Sequence, residues 1–169
     1  LTAEKNNTTK GRVINIIVKY EGAESVEISV MQENIEVPRE NLTLELEISE
    51  IGPTSITIDI TASHPDMTWI PMVTYKEYWD QKPSDEDVYI SDLAYFEYLA
   101  DNAGITREEF LVDMLGMGSQ EGIVIDGLTP NTEFVIYAYG LTADGERTTD
   151  IVAREATTEK PYEGDITFD

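Results

Sequence analysis

The chain has 169 residues, 41% of them apolar, and carries 34 Asp and Glu against 11 Lys and Arg for a formal net charge of −23. The apolar fraction suffices for the core of one ordinary domain with residues to spare. So negative a surface repels nucleic acid and anionic membranes, which are bound chiefly through Lys and Arg. There is no cysteine, which excludes a disulfide framework, a thiol nucleophile and Cys-ligated zinc or iron–sulfur centres.

Residues 1–11 are polar, without the apolar run of a leader, and read as a solvated tether; the start on Leu1 suggests a leader removed upstream. Residues 12–40 are expected to hold a β-hairpin, with Ile14, Ile16, Val18 and Tyr20 on one face of the first strand and Val26, Ile28 and Val30 on one face of the second. After Pro38, "LTLELEIS" alternates Leu42, Leu44, Leu46 and Ile48 with polar residues, Gly52-Pro53 turns the chain, and "SITIDI" offers Ile56, Ile58 and Ile60. A further strand is expected at 68–78, at an edge or bulged because Pro71 lacks a backbone N–H.

Alternation then gives way to helical spacing. Leu93, Phe96 and Ala100 predict a helix stopped at Gly104, and Thr106 with Glu109 three residues on predicts a capping box at the start of a second, ended by Gly116 or Gly118. Strands resume in "GIVIDGL", "EFVIYAYGL" and "RTTDIVAREATT", with a hairpin turn expected at Asp144-Gly145.

The pattern Leu128-x-Pro130-x-Thr132-x-Phe134-x-Ile136-x-Ala138 resembles the E-to-F corner and strand F of fibronectin type III domains, and "TADGE" with a strand closing on Thr157-Thr158 resembles their last hairpin. The resemblance covers about residues 41–160, of which 83 remain when a two-helix insert at about 83–119 is set aside, close to the roughly 100 of an immunoglobulin-like sandwich. Two departures are plain: Phe134 stands where the family has its corner tyrosine, and the insert is foreign to ordinary members. The expected fold is therefore mainly β, an antiparallel fibronectin type III-like sandwich with a two-helix insert and an extra N-terminal hairpin. The strands supply their own alternating core, so the insert is expected to be dispensable for folding. With its acidic surface and "GLTPNTEF…YAYGLTADG", the chain is similar to sandwich modules of surface lipoproteins of gut Bacteroidetes. That similarity implies an extracytoplasmic place, held at the cell surface or outer membrane by a lipid anchor upstream, and an adhesion or glycan-related role.

Little here points to catalysis. His64 is the sole histidine, and its neighbours Ser63 and Asp66 are too close in sequence to converge as a triad. No nucleophile elbow, phosphate loop or dinucleotide fingerprint exists, and no cofactor is implied. Carboxylates are too abundant for a glycosidase pair to be picked out. Asp85, Asp87 and Asp92 are weak candidates for a hard cation, lacking EF-hand spacing; Ser84 and the acids after it read better as a helix N-terminus.

The strongest signal is aromatic. Residues 69–98 hold eight of the chain's fifteen aromatic residues, which either dock the helices or offer a binding platform. Tyr78, Trp79 and Tyr89, set among polar residues, are the expected exposed ligand contacts. The reading is a noncatalytic surface module for a glycan or protein ligand, monomeric within a longer chain. A carboxylate-dependent glycan-processing enzyme or its accessory domain, and a structural spacer, are the alternatives. Residues 161–169 read as a linker and the first strand of a following module, or as a tail folding back to pair with its own sheet or with the N-terminal hairpin.

Overall fold

The computed structural model describes residues 12–18, 26–32, 42–82 and 84–161. The polar segment 1–11 and the segment 162–169 lie outside them. Two compact units are present, divided between Asn41 and Leu42. In the first, β1 (Arg12–Val18) pairs antiparallel with β2 (Val26–Gln32), Asn15 opposite Ser29.

In the second unit, β3 (Leu44–Ile51), β4 (Ile56–Ala62) and β7 (Gln120–Ile125) form one antiparallel sheet in the order β3-β4-β7. The other has the order β6-β5-β8-β9, built from β5 (Thr68–Tyr75), the two-residue β6 (Gly116–Met117), β8 (Glu133–Gly140) and β9 (Val152–Thr157). Counting from β3, strands one, two and five face strands four, three, six and seven, the arrangement of a fibronectin type III-like sandwich. The core between the sheets is the alternating set the periodicity picks out: Leu44, Leu46, Ile56, Ile58 and Ile60 from one sheet, Trp69, Phe134, Ile136 and Ala138 from the other. Pro71 is tolerated because β6 pairs only with Thr68 and Trp69, leaving the rest of β5 bonded on one side, to β8.

The corner at the start of β8 is closed without a tyrosine hydroxyl. Phe134 is buried and stacks on Tyr75 with ring centroids 5.0 Å apart. The buried Thr158, just past β9, donates its hydroxyl to the Thr129 carbonyl at 2.7 Å and accepts the Thr132 N–H at 3.0 Å. The fixed bond between corner and sheet thus comes from the last strand.

Between β5 and β6 run α1 (Lys76–Trp79), α2 (Asp85–Ala103) and α3 (Arg107–Met114). The strand expected to reach Tyr78 ends at Tyr75, and its last residues turn into α1. Gly104 ends α2 with φ +71°, and α3 starts on the Thr106–Glu109 capping box. No glycine caps α3: Leu115 is extended and leads straight into β6. Gly116 serves packing instead, since a Cβ there would run into the Trp69 indole.

The helices form a third layer over the outer face of the β6-β5-β8-β9 sheet. Ile70, Tyr137, Tyr139 and Leu141 of the sheet side pack with Val88, Phe96 and Leu111 of the helices. This explains the unbroken apolar run "FVIYAYGL": β8 is covered on both faces, so every residue from Phe134 to Gly140 is buried. The helical segment is an insert in chain order, yet it shields a second apolar face that the sandwich cannot cover itself.

Candidate functional site

Helix α2 faces the sheet with Val88, Asp92, Phe96 and Ala100, each four residues from the last and all buried. Asp92 is the polar member of this stripe and is 7% exposed. Tyr137 and Tyr139, two residues apart on β8, point to the same outer face; their hydroxyls donate to Asp92 Oδ1 at 2.9 Å and Oδ2 at 3.1 Å. Burial pushes the Asp92 carboxyl above the usual aspartate range, opposed by the two phenol bonds and by the charge of Lys82. Burial and the adjacent carboxylate push both phenols up as well, so they remain neutral donors.

Beside this cluster opens a cleft of about 90 Å³. Its deeper lining is Val88, Asp92 and Tyr137; Thr74, Tyr78, Trp79, Lys82 and Ser91 form its walls and rim. The four-residue α1 builds one wall: turning the chain immediately after β5 sets Trp79 against Tyr137, with ring centroids 4.9 Å apart, and leaves Tyr78 54% exposed. A wider, shallow depression of about 310 Å³ lies beside the cleft at the C-terminal end of β5, lined by Tyr75, Lys76, Glu77, Thr132 and Glu133. Lys76 there is ion-paired to Asp80 at 2.7 Å and Glu155 at 3.0 Å.

Of the three aromatics expected to be exposed, only Tyr78 is. Trp79 and Tyr89 are half-buried, because the outer sheet face is itself apolar and draws them in. Trp79 lines the cleft while packing on Tyr137. Tyr89 is removed from it: its hydroxyl donates to the Gly145 carbonyl at 2.5 Å, Tyr139 meets its ring edge-on, and Arg147 lies 5.4 Å from its centroid. Tyr89 therefore fastens α2 to the loop after β8, in which the Asp144-Gly145 turn sits.

Among the described residues no three His, Asp or Glu side chains group to hold a metal. Asp85 and Asp87 lie exposed in the first turn of α2, where Ser84 accepts the Asp87 N–H at 3.2 Å, whereas Asp92 faces the sheet. Ser63 Oγ accepts the Thr43 N–H at 2.9 Å and His64 Nδ1 accepts the Asp66 N–H at 3.3 Å, so both are engaged with backbone donors. Among the described residues no helix is long and apolar enough to cross a membrane.

The periodicity alone does not single out Tyr137 and Tyr139, or join Lys82 and Asp92 to the cleft. The available signal is the coincidence of two rules, "YAY" placing two hydroxyls on one strand face and Asp92 standing in an otherwise apolar helical stripe.

Neither a protein-family model nor a curated protein matches the sequence. Among solved structures, the chain is similar to the central fibronectin-III array of RIM-binding protein, with a TM-score of 0.41 and 10% identity. The similarity covers 93% of this chain and 47% of that one, so the chain spans about half the length of the structure it matches.

Proposed function

We propose that the protein is a noncatalytic binding module of a cell surface, which takes a protruding group of a glycan into the cleft between α1, α2 and the outer sheet face. The observation that carries this reading is the convergence of Tyr78 and Trp79 with Thr74, Ser91 and Asp92 on one opening, an aromatic wall beside a few polar groups being the usual chemistry of sugar recognition. At about 90 Å³ the cleft is below the roughly 300 Å³ of a pocket that engulfs a ligand. One group enters, and the rest of the ligand lies over the exposed Tyr78. Hydrolysis is disfavoured, since a glycosidase needs two opposed carboxylates, and the cleft lining has only Asp92, both of whose oxygens accept from tyrosines. An extracytoplasmic place within a longer chain is supported by the likeness of its corner and last hairpin to surface-lipoprotein modules.

Binding of the isolated protein to a glycan array, alongside Tyr78→Ala, tests the reading. Tyr78 is the suitable probe because Trp79 also packs on Tyr137. Binding that the substitution weakens severalfold is expected. A silent array removes the glycan reading and leaves a spacer or protein-binding role, and binding indifferent to Tyr78 moves the site elsewhere.

A further inference from the structure

We infer that the group entering the cleft is the ammonium of an amino sugar, seated against the Asp92 carboxylate among Tyr78, Trp79 and Tyr137, with the sugar ring over Tyr78. This rests on the glycan-binding reading above and names the ligand's chemistry.

Asp92 is the first support. It is 7% exposed, and among the described residues its hydrogen-bond partners are two phenols rather than an Arg or Lys in contact. A carboxylate so buried with no cation in contact is costly to ionise, and the raised affinity of Asp92 for its proton, which the charge of Lys82 offsets only in part, expresses that cost. A cation delivered through the cleft supplies the missing charge. Each carboxylate oxygen has spent one acceptor site on a phenol and keeps another for an incoming N–H. The lining is the second support: the aromatic Tyr78 and Trp79 stand beside Asp92 in the cleft, and aromatic rings attract cations, while the hydroxyls of Thr74 and Ser91 are acceptors for the other ammonium protons. Third, a net charge of −23 concentrates cations near the surface before they find the cleft.

Lys82 shares the lining and is exposed. Its ammonium is the natural competitor for Asp92, and this gives the proposal a directional test. A ligand held by its negative or neutral groups would lose a donor when Lys82 is removed, whereas a cationic ligand gains.

The experiment uses the intact chain, following tryptophan fluorescence on titration with the glucosamine disaccharide and with its fully N-acetylated counterpart, which has the same skeleton and no charge. The acetylated sugar and the Asp92→Asn variant should each bind at least about tenfold more weakly, a charge-assisted hydrogen bond being lost in both. Tyr78→Ala should weaken binding about two- to fivefold, and Lys82→Gln should tighten it. Asparagine can accept from one phenol and donate to the other, so Asp92→Asn keeps the cluster bonded; Lys82→Gln and Tyr78→Ala, at exposed positions, decide the matter even if it does not fold. Equal binding of the acetylated sugar, or weaker binding by Lys82→Gln, overturns the proposal. So does binding that survives Asp92→Asn and fades with added salt, which marks diffuse attraction to the acidic surface. If the acetylated sugar alone binds, and Tyr78→Ala weakens this, the glycan-binding reading stands while the ammonium falls; if neither sugar nor any array glycan binds, both fall.

Discussion

Asp92 interrupts an apolar stripe, and its surroundings dictate how substitutions there behave. Asp92→Ala strands two buried phenol hydroxyls and opens a cavity, and should lower unfolding free energy by about 3 kcal/mol; urea unfolding measures it. Asp92→Asn should cost much less and should change the pH profile. The folded carboxyl has a raised pKa, so the native state holds this proton more tightly than the unfolded chain does. Its contribution is present below the ordinary aspartate value and is lost as pH rises through the folded value. Wild-type stability, taken relative to Asp92→Asn at each pH, should therefore fall from about pH 4 towards neutrality, and a difference flat with pH would contradict the burial of this group. Gly116→Ala is the other sharp residue-scale test. Trp69 is 1% exposed, its Nε1 donates to the Gly118 carbonyl at 2.7 Å, and the new methyl meets its ring. A loss of about 1–3 kcal/mol is expected from overpacking, read as a lowered Tm.

Helix α3 depends on its first turn. Thr106 Oγ1 accepts the Glu109 N–H at 3.2 Å, while Glu109 Oε2 accepts the Thr106 N–H at 2.8 Å and the Thr106 hydroxyl at 2.9 Å, and the two bonds to Oε2 hold the Glu109 carboxyl below its usual value. Thr106→Ala should cost about 1 kcal/mol. The bond from the Thr106 hydroxyl to the Glu109 carboxylate, which the substitution removes, acts above the ordinary glutamate pKa and is lost as pH falls through the lowered value, so the Thr106→Ala deficit should shrink in acid. The acidic start of α2 has a different consequence. Asp85, Glu86 and Asp87 oppose the helix dipole, and neither Asp85 nor Asp87 meets Asp92. Calcium at about 1 mM should therefore leave Tm unchanged, because a metal bound only by the native state raises stability by mass action. A rise of several degrees reversed by EDTA would show a site that this geometry does not account for.

For the sandwich unit as a whole, the helical layer decides solubility as well as site geometry. Replacing residues 83–114, which hold α2 and α3 but stop short of β6, by a short Gly-rich linker leaves the inter-sheet core of Leu46, Ile58, Ile60 and Ile136 intact, and a loop of that length costs little entropy. It uncovers Ile70, Tyr137, Tyr139 and Leu141, all at most 4% exposed in the intact unit. Such a patch drives association. The expected product binds an apolar dye and elutes as larger species than the intact chain, and a compact, dye-silent product would show that the sandwich does not need its third layer.

The sandwich was legible in the sequence because period-2 alternation directly reports a half-buried strand: Leu44, Leu46, Ile56, Ile58 and Ile60 point where their spacing says. Gly104 and the Thr106–Glu109 pair were equally legible, since a cap is a local hydrogen-bond requirement met within four residues. Tertiary structure decided what covers what. The run from Phe134 to Gly140 carries no alternation to read because both faces of β8 are buried, and only the docked helices show why. The same layer pulled Trp79 and Tyr89 inward despite their polar neighbours, and joined Asp92 to tyrosines 45 and 47 residues away. Local sequence encodes local hydrogen bonding and the side on which a residue lies. Whether that side meets water or another layer depends on partners distant in the chain, and the cleft exists only through that long-range choice.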